Sequence, residues 1–215
     1  MTIETSTPPK SPLAAVFTVP NQLTAARFLL SIALFILIAY EQWLWCFGVF
    51  VVAAITDWLD GYLARKLQLG STLGRNLDPL VDKILICGAF TFLIPFKESG
   101  ITPWIATVVV TRELLVTSLR SFIENRGGNF GATWPGKLKM GLQCAALIAI
   151  FLFLAYFSLF MYVADNVRQP PWFVSRPILY WFELLRVILV YAMTASTVIS
   201  GLQYLWRATV LLREE

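Results

Sequence analysis

The sequence predicts an all-α, polytopic membrane protein with six transmembrane helices, and three observations predict it. Apolar residues fill 58% of the 215 positions. Charged residues fill 14%, well below the roughly one quarter usual in a soluble domain. The apolar residues fall into runs close to the ~20 that a bilayer crossing requires. A water-soluble chain of this length could not bury so much apolar surface.

The elements follow in order. Residues 1–18 (MTIETSTPPKSPLAAVFT) are rich in Thr, Ser and Pro and read as a mobile N-terminal tail. They lack the charged start, apolar stretch and small-residue cleavage site of a signal peptide. Residues 19–215 read as one membrane domain. Pro20-Asn21 opens the first helix, with proline and a capping side chain where helices accept them. Spans are expected at about 23–40, 43–65, 79–96, 102–124, 136–164 and 177–207. The last two are long enough to tilt or to run past the bilayer. Gln169-Pro170-Pro171-Trp172 reads as a loop with an interfacial aromatic, and Trp43 and Trp45 as a second belt.

Basic residues near the helix ends set the orientation. One side carries Lys10, Arg65, Lys66, Arg75, Arg120, Arg126, Lys137, Lys139, Arg207 and Arg213; the other carries Lys97, Arg168 and Arg176. That asymmetry places both termini in the cytoplasm, as in an inner-membrane protein. Arg27, Lys83, Arg112 and Arg186 lie within spans and require separate reasons. For Arg186, an ion pair with Glu183 three residues earlier is the expected one.

Residue content also excludes chemistry. With no histidine, neither an imidazole base nor a His-ligated zinc can operate. Cys46, Cys87 and Cys144 each stand alone in an apolar run and read as small buried hydrophobes. A net charge of +4 suits contact with an anionic leaflet rather than nucleic acid.

The candidate chemistry lies where the second span ends and the third begins. Asp57 and Asp60 are three apart, Asp78 and Asp82 four apart, so each pair shares a helix face. Joined by a short loop, the four carboxylates can converge. Solvated helix-end charges would explain one or two acids, but not two same-face pairs with Gly61, Ala64 and Gly74 between them. A divalent cation relieves their mutual repulsion. Oxygen donors suit Mg²⁺ or Mn²⁺, and Mg²⁺ commonly completes its shell with water and substrate phosphate. Gly61 leaves room for a bulky ligand, and Arg65 can place a guanidinium on a phosphate.

The whole string is Asp57-x2-Asp60-Gly61-x2-Ala64-Arg65-x8-Gly74-x3-Asp78-x3-Asp82. Eight fixed residues at this spacing would arise by chance less than roughly once in a million chains of average composition. The string resembles, in full, the signature of the CDP-alcohol phosphatidyltransferase family. That resemblance implies a six-helix enzyme that binds CDP-diacylglycerol and an alcohol, whose hydroxyl attacks the β-phosphorus as CMP leaves. It implies that Asp57, Asp60, Asp78 and Asp82 hold two metal ions, and that Asp82 is also the base. Gly61, Arg65 and Ser71 would contact the CDP moiety, with Asn21, Thr24 and Arg27 near the nucleotide. Members of the family commonly form homodimers. The residues agree with this division of labour, because phosphoryl transfer asks for positioning and charge neutralisation, and a carboxylate is the natural base where histidine is missing.

Further segments resemble one branch of the family, the bacterial phosphatidylglycerophosphate synthases. They are Pro20-Asn21-Gln22-Leu23-Thr24-x2-Arg27, Thr111-Arg112-Glu113-Leu114, and Trp134-Pro135-Gly136-Lys137-Leu138-Lys139 with Gln143. The resemblance runs from about residue 19 to 160 and fades in the last span. Its acceptor would be glycerol 3-phosphate, which needs a cationic pocket. Arg112 within a span is costly without a function; Lys137 and Lys139 could equally serve topology. Arg112, Arg120, Lys137 and Lys139 are the expected phosphate-binding residues, and Glu113, adjacent in sequence to Arg112, is expected to point elsewhere. A sibling enzyme using inositol phosphate would need a similar pocket, whereas one using serine would not. A divalent-cation transporter would want its acids near the midplane on broken helices.

Overall fold

A computed structural model describes residues 19–67, 72–125, 134–167, 171 and 173–211, with side chains at those outside 19–21, 23, 58–79, 124–125, 134–135, 137 and 211. The expected tail, residues 1–18, lies outside the described residues. So does most of the loop at 169–172.

Among the described residues the fold is all helical. The helices are α1 (Val19–Ala39), α2 (Trp43–Leu67), α3 (Thr72–Phe92), α4 (Pro103–Asn125), α5 (Trp134–Asn166) and α6 (Arg176–Leu211), with a short 3₁₀ turn at Lys97–Ser99. Each expected span therefore coincides with a helix. The largest displacement is at α3, which begins at Thr72 rather than 79. Its first turns, residues 72–78, hold polar residues that an apolar run does not include.

Two of the helices hold stretches long and apolar enough to cross a bilayer, Leu138–Asn166 and Arg176–Val210; Thr24–Ala39 and Trp43–Asp57 are shorter apolar stretches. Outward-facing side chains include Leu29, Ile36, Leu44, Trp45, Ile55, Leu114, Tyr191 and Leu202. So much contiguous exposed apolar surface is unsuited to water.

The turn between α1 and α2 shows how short connections force neighbours to run antiparallel. Glu41 adopts a left-handed backbone conformation at φ 57°, a position usually given to glycine. The Gln42 N–H then donates to Leu37 O (2.9 Å) and the Glu41 N–H to Ile38 O (3.0 Å), which satisfies carbonyls the helix end would otherwise leave open. α1 packs on both α2 and α3, α2 on α5, and α6 on both α4 and α5. Phe50, Phe90, Phe151, Leu34, Ile38 and Leu147 are fully buried between them. Phe35 and Phe92 stack at 4.9 Å, and Trp43 meets Phe96 edge-on at 4.9 Å. Within lipid such close packing, rather than expulsion of water, holds helices together.

Hydroxyls on these helices turn onto their own backbone. Thr56, Thr91, Thr107, Thr117 and Thr194 each donate to the carbonyl four residues earlier, at 2.6–2.8 Å.

Arg186 braces the end of the bundle near the 3₁₀ turn. Its guanidinium donates to Glu98 O at 2.7 Å, lies 4.5 Å from the Phe153 ring centroid, and is 3.7 Å from Glu183 Oε1, so the expected ion pair is present. The backbone under it is Gly100, at φ 74°, where a Cβ would come within 2.5 Å of Arg186 Nη1. Gly100→Ala therefore incurs the left-handed penalty of about 1–2 kcal/mol and also displaces Arg186. The expected outcome is a lower melting temperature for the detergent-solubilised protein. An unchanged melting curve would show that the brace does not contribute to stability.

Candidate active site

Arg27 is the most deeply buried cation described, at 1% exposure. It lies about two turns into α1, on the same face as the buried Thr24 and Ser31, and Ser31 Oγ donates back to Arg27 O. Burying a guanidinium is costly unless carboxylates receive it. Two do so. Arg27 Nη1 is 3.0 Å from Asp57 Oδ1 and 2.7 Å from Asp82 Oδ1. The structure thus brings together one acid from within α2 and one from within α3, around a cation from α1; both lie in helix interiors rather than at the helix ends the expected spans put them near. Both acids keep an open face, with 36% and 26% of their side chains exposed.

The remaining members of the constellation are less fully placed. The side chains of Asn21, Asp60, Gly61, Arg65, Asp78 and Lys137 lie outside the described residues, as does the whole of Ser71. For Asp60 and Asp78 the backbone belongs to α2 and α3.

Among the described residues, Arg27 with the carboxylates of Asp57 and Asp82 sums to one net negative charge. Their oxygen donors on an open face fit a hard divalent cation, which histidine-free surroundings do not redirect toward softer metals.

A second polar cluster forms where α4 meets α5 and α6. Arg112 Nη2 donates to Ser200 Oγ at 2.6 Å, and Arg112 lies 5.6 Å from the Tyr204 ring centroid. Arg120, two turns further along α4, donates to the Tyr204 hydroxyl at 3.2 Å and lies 5.9 Å from the same ring. Arg112 and Arg120, eight residues apart, therefore share a face.

The expectation for Glu113 requires correction. It is buried, and its carboxylate pairs with Lys139 Nζ of α5, while Arg112 Nη1 lies 3.4 Å from Oε1. Gln143 Nε2 also reaches Glu113 Oε1, at 3.4 Å. Adjacent helical residues diverge at Cβ, but two long side chains can bend back toward one another where a third charge, here Lys139, draws the carboxylate inward. Lys139 is accordingly buried at 4% exposure, not a surface topology residue.

α3 connects the two clusters. Asp82 reaches Arg27, whereas the next residue, Lys83, donates to Thr117 Oγ1 of α4. Sequence reasoning missed Ser200 and Tyr204 altogether. Their spacing of four places them on one face, but α6 carries other polar residues, among them Thr194, Ser196, Thr197 and Gln203, so nothing local singles them out.

A family model described as CDP-alcohol phosphatidyltransferase matches residues 17–199. Among curated proteins the chain is 35% identical to a CDP-diacylglycerol–glycerol-3-phosphate 3-phosphatidyltransferase of Bacillus subtilis strain 168, over 64% of this chain and 78% of that one. It is 37% identical to the Pseudomonas fluorescens protein of the same name, over 61% and 71%. The Escherichia coli K12 protein of that name is 29% identical over 93% of this chain and 99% of its own.

The shared guanidinium generates a stability test. Arg27→Gln leaves two half-buried carboxylates without their common cation, a loss of about 3–5 kcal/mol where one partner of a buried pair is removed. Adding Asp57→Asn relieves part of that repulsion. The double variant should therefore melt higher than additivity of the single variants allows. Strict additivity would separate Arg27 from Asp57.

Proposed function

The chain belongs to the CDP-alcohol phosphatidyltransferase family, and on that premise we propose that it transfers a phosphatidyl group from CDP-diacylglycerol to glycerol 3-phosphate, giving phosphatidylglycerophosphate and CMP. Its similarity to proteins named for that reaction supports the reading. The observation that carries it is the junction at residues 82 and 83. There one helix delivers a carboxylate to the acidic cluster and an ammonium toward the arginines of α4.

In this reading the protein has six transmembrane spans, both termini in the cytoplasm, and its site at the cytoplasmic side of the inner membrane. Pairing of two copies is part of the reading. The family is in general divalent-metal dependent; here Asp57, Asp60, Asp78 and Asp82 would hold two Mg²⁺ or Mn²⁺ ions. Bound there, the metal supplies charge neutralisation to the diphosphate and its leaving oxygen. Asn21, Thr24, Gly61, Arg65 and Ser71 bind the CDP-diacylglycerol. Arg112 and Arg120 hold the acceptor phosphate, with Lys137 and Lys139.

Asp82 takes the proton from the acceptor hydroxyl. The hydroxyl oxygen bonds to the β-phosphorus as the bond from that phosphorus to the bridging oxygen breaks, and CMP departs. A carboxylate is basic enough for this only in concert with bond formation, so its placement counts for more than its affinity for protons. The Arg27 contact supplies that placement, holding Oδ1 and leaving the carboxylate plane fixed.

Asp82→Asn should abolish CMP release while keeping most affinity for CDP-diacylglycerol. Measured with purified enzyme, equal loss of lipid binding and turnover would remove the separate role as base.

Arg112→Lys tests the acceptor. Lysine keeps the charge but cannot make the paired contact of a guanidinium, and loss of a buried charge-assisted contact costs about 2–5 kcal/mol. The KM for glycerol 3-phosphate should rise at least tenfold (~1.4 kcal/mol) while that for CDP-diacylglycerol stays put. A defect confined to the lipid substrate, or wild-type preference for inositol phosphate, would overturn the glycerophosphate assignment.

A further inference from the structure

The last helix is where the sequence offers least chemistry, yet it makes the most specific contacts to the arginines of α4. Ser200, Gly201 and Tyr204 lie on one stretch of α6, with Ser200 and Tyr204 four residues apart and both buried, at 1% and 2% exposure. Ser200 Oγ accepts from Arg112 Nη2 at 2.6 Å. A Cβ on Gly201 would come within 3.2 Å of Arg112 Cγ, so the arginine stem lies directly on the helix backbone. The Tyr204 ring has guanidinium carbons at 5.6 and 5.9 Å, from Arg112 and Arg120, and its hydroxyl accepts from Arg120 Nη2.

Two like charges brought to one aromatic ring repel each other. Glu113 Oε1 lies 3.4 Å from Arg112 Nη1 but also pairs with Lys139, so it does not neutralise both arginines. An arrangement that holds both beside one ring makes sense where a single multivalent anion is to be received by both.

We infer that Ser200 and Tyr204 are positioning residues that set Arg112 and Arg120 for the acceptor phosphate, with Gly201 permitting the close approach of Arg112. This rests on the reading of those arginines as the acceptor site. The face of Tyr204 fixes where the two guanidiniums lie along α4, its hydroxyl orients Arg120, and Ser200 orients Arg112. Neither residue needs to touch the acceptor. A preorganised pair avoids the ordering cost that two free arginine side chains would incur on binding.

The test uses the full-length protein in detergent, with Ser200→Ala, Tyr204→Phe and Tyr204→Leu. Steady-state kinetics vary each substrate in turn, and melting temperature is followed against inorganic phosphate. Ser200→Ala and Tyr204→Phe each remove one hydrogen bond and should raise the KM for glycerol 3-phosphate about fivefold. Tyr204→Leu also removes the ring from both cations and should raise it by about tenfold or more. The kcat and the KM for CDP-diacylglycerol should stay within about twofold of wild type, the split expected when only acceptor binding is lost.

Phosphate should raise the melting temperature of the wild type by preferential binding to the folded state, and each variant should show a smaller rise. If Tyr204→Leu does not fold, the other two variants carry the test. Unchanged acceptor KM and unchanged phosphate protection would overturn the inference. So would kcat and both KM values moving together, the mark of a purely structural role. If the wild type releases no CMP with glycerol 3-phosphate while phosphate protection still weakens in the variants, the acceptor assignment falls and the positioning role stands.

Discussion

A guanidinium with 1% exposure cannot remain charged inside a helical bundle without partners, and arginine cannot escape by losing its proton. Among the described residues, Asp57 and Asp82 each lie within 3.0 Å of Arg27. One residue from each of the first three helices is thereby tied to a single nitrogen. The tie sets the depth and rotation of α2 and α3 against α1, because moving either helix would strand a charge. It also sets the chemistry. Two carboxylates held by one cation remain a net negative site with open faces, able to accept more positive charge without rearranging the helices. The apolar contacts beyond it, such as Phe35 on Phe92 and Phe50 against Phe151, then stabilise a geometry that the charges have specified.

Charge accounting on the other side of α3 runs the opposite way. Arg112, Arg120, Lys83 and Lys139 bring four positive charges, and Glu113 removes one by pairing with Lys139. Without Glu113, Lys139 would be a buried ammonium facing three other cations. Glu113 therefore lets a lysine be placed deep within the bundle, and Gln143 completes its hydrogen bonding. α3 separates a negative cluster from a positive one by the turn of a single residue, from Asp82 to Lys83. Successive residues on a helix point about 100° apart, so this junction is a direct consequence of helical geometry.

How much of this was legible in the sequence depends on the range of the interaction. The six helices were readable because each is a local apolar run, and α3 begins earlier than its expected span because its first two turns carry polar residues. The convergence of Asp57 and Asp82 followed from their spacing and a short loop. Beyond its place in the resembling segment, Arg27 carried the signal of a cation in an apolar helix, with no indication of which acids it meets. Glu113 was misread because the neighbour rule describes Cβ directions and says nothing of long side chains drawn back by a third charge. Ser200 and Tyr204 lie more than 80 residues from the arginines they contact, and no local pattern reports such a pairing.

The threonines that donate to their own backbone bear on how the chain meets lipid. A hydropathy average treats each hydroxyl as though it still sought water. In α2, α3, α4 and α6 the donors of Thr56, Thr91, Thr107, Thr117 and Thr194 are already engaged four residues back. What such a residue offers its surroundings is a methyl group and a hydroxyl whose proton is already engaged. Sequence averages accordingly understate the oiliness of these segments, α4 with its two engaged threonines most of all. Only the hydroxyl-poor α5 and the long α6 hold stretches that stand out by composition, while their neighbours present to their surroundings a surface closer to valine than to threonine.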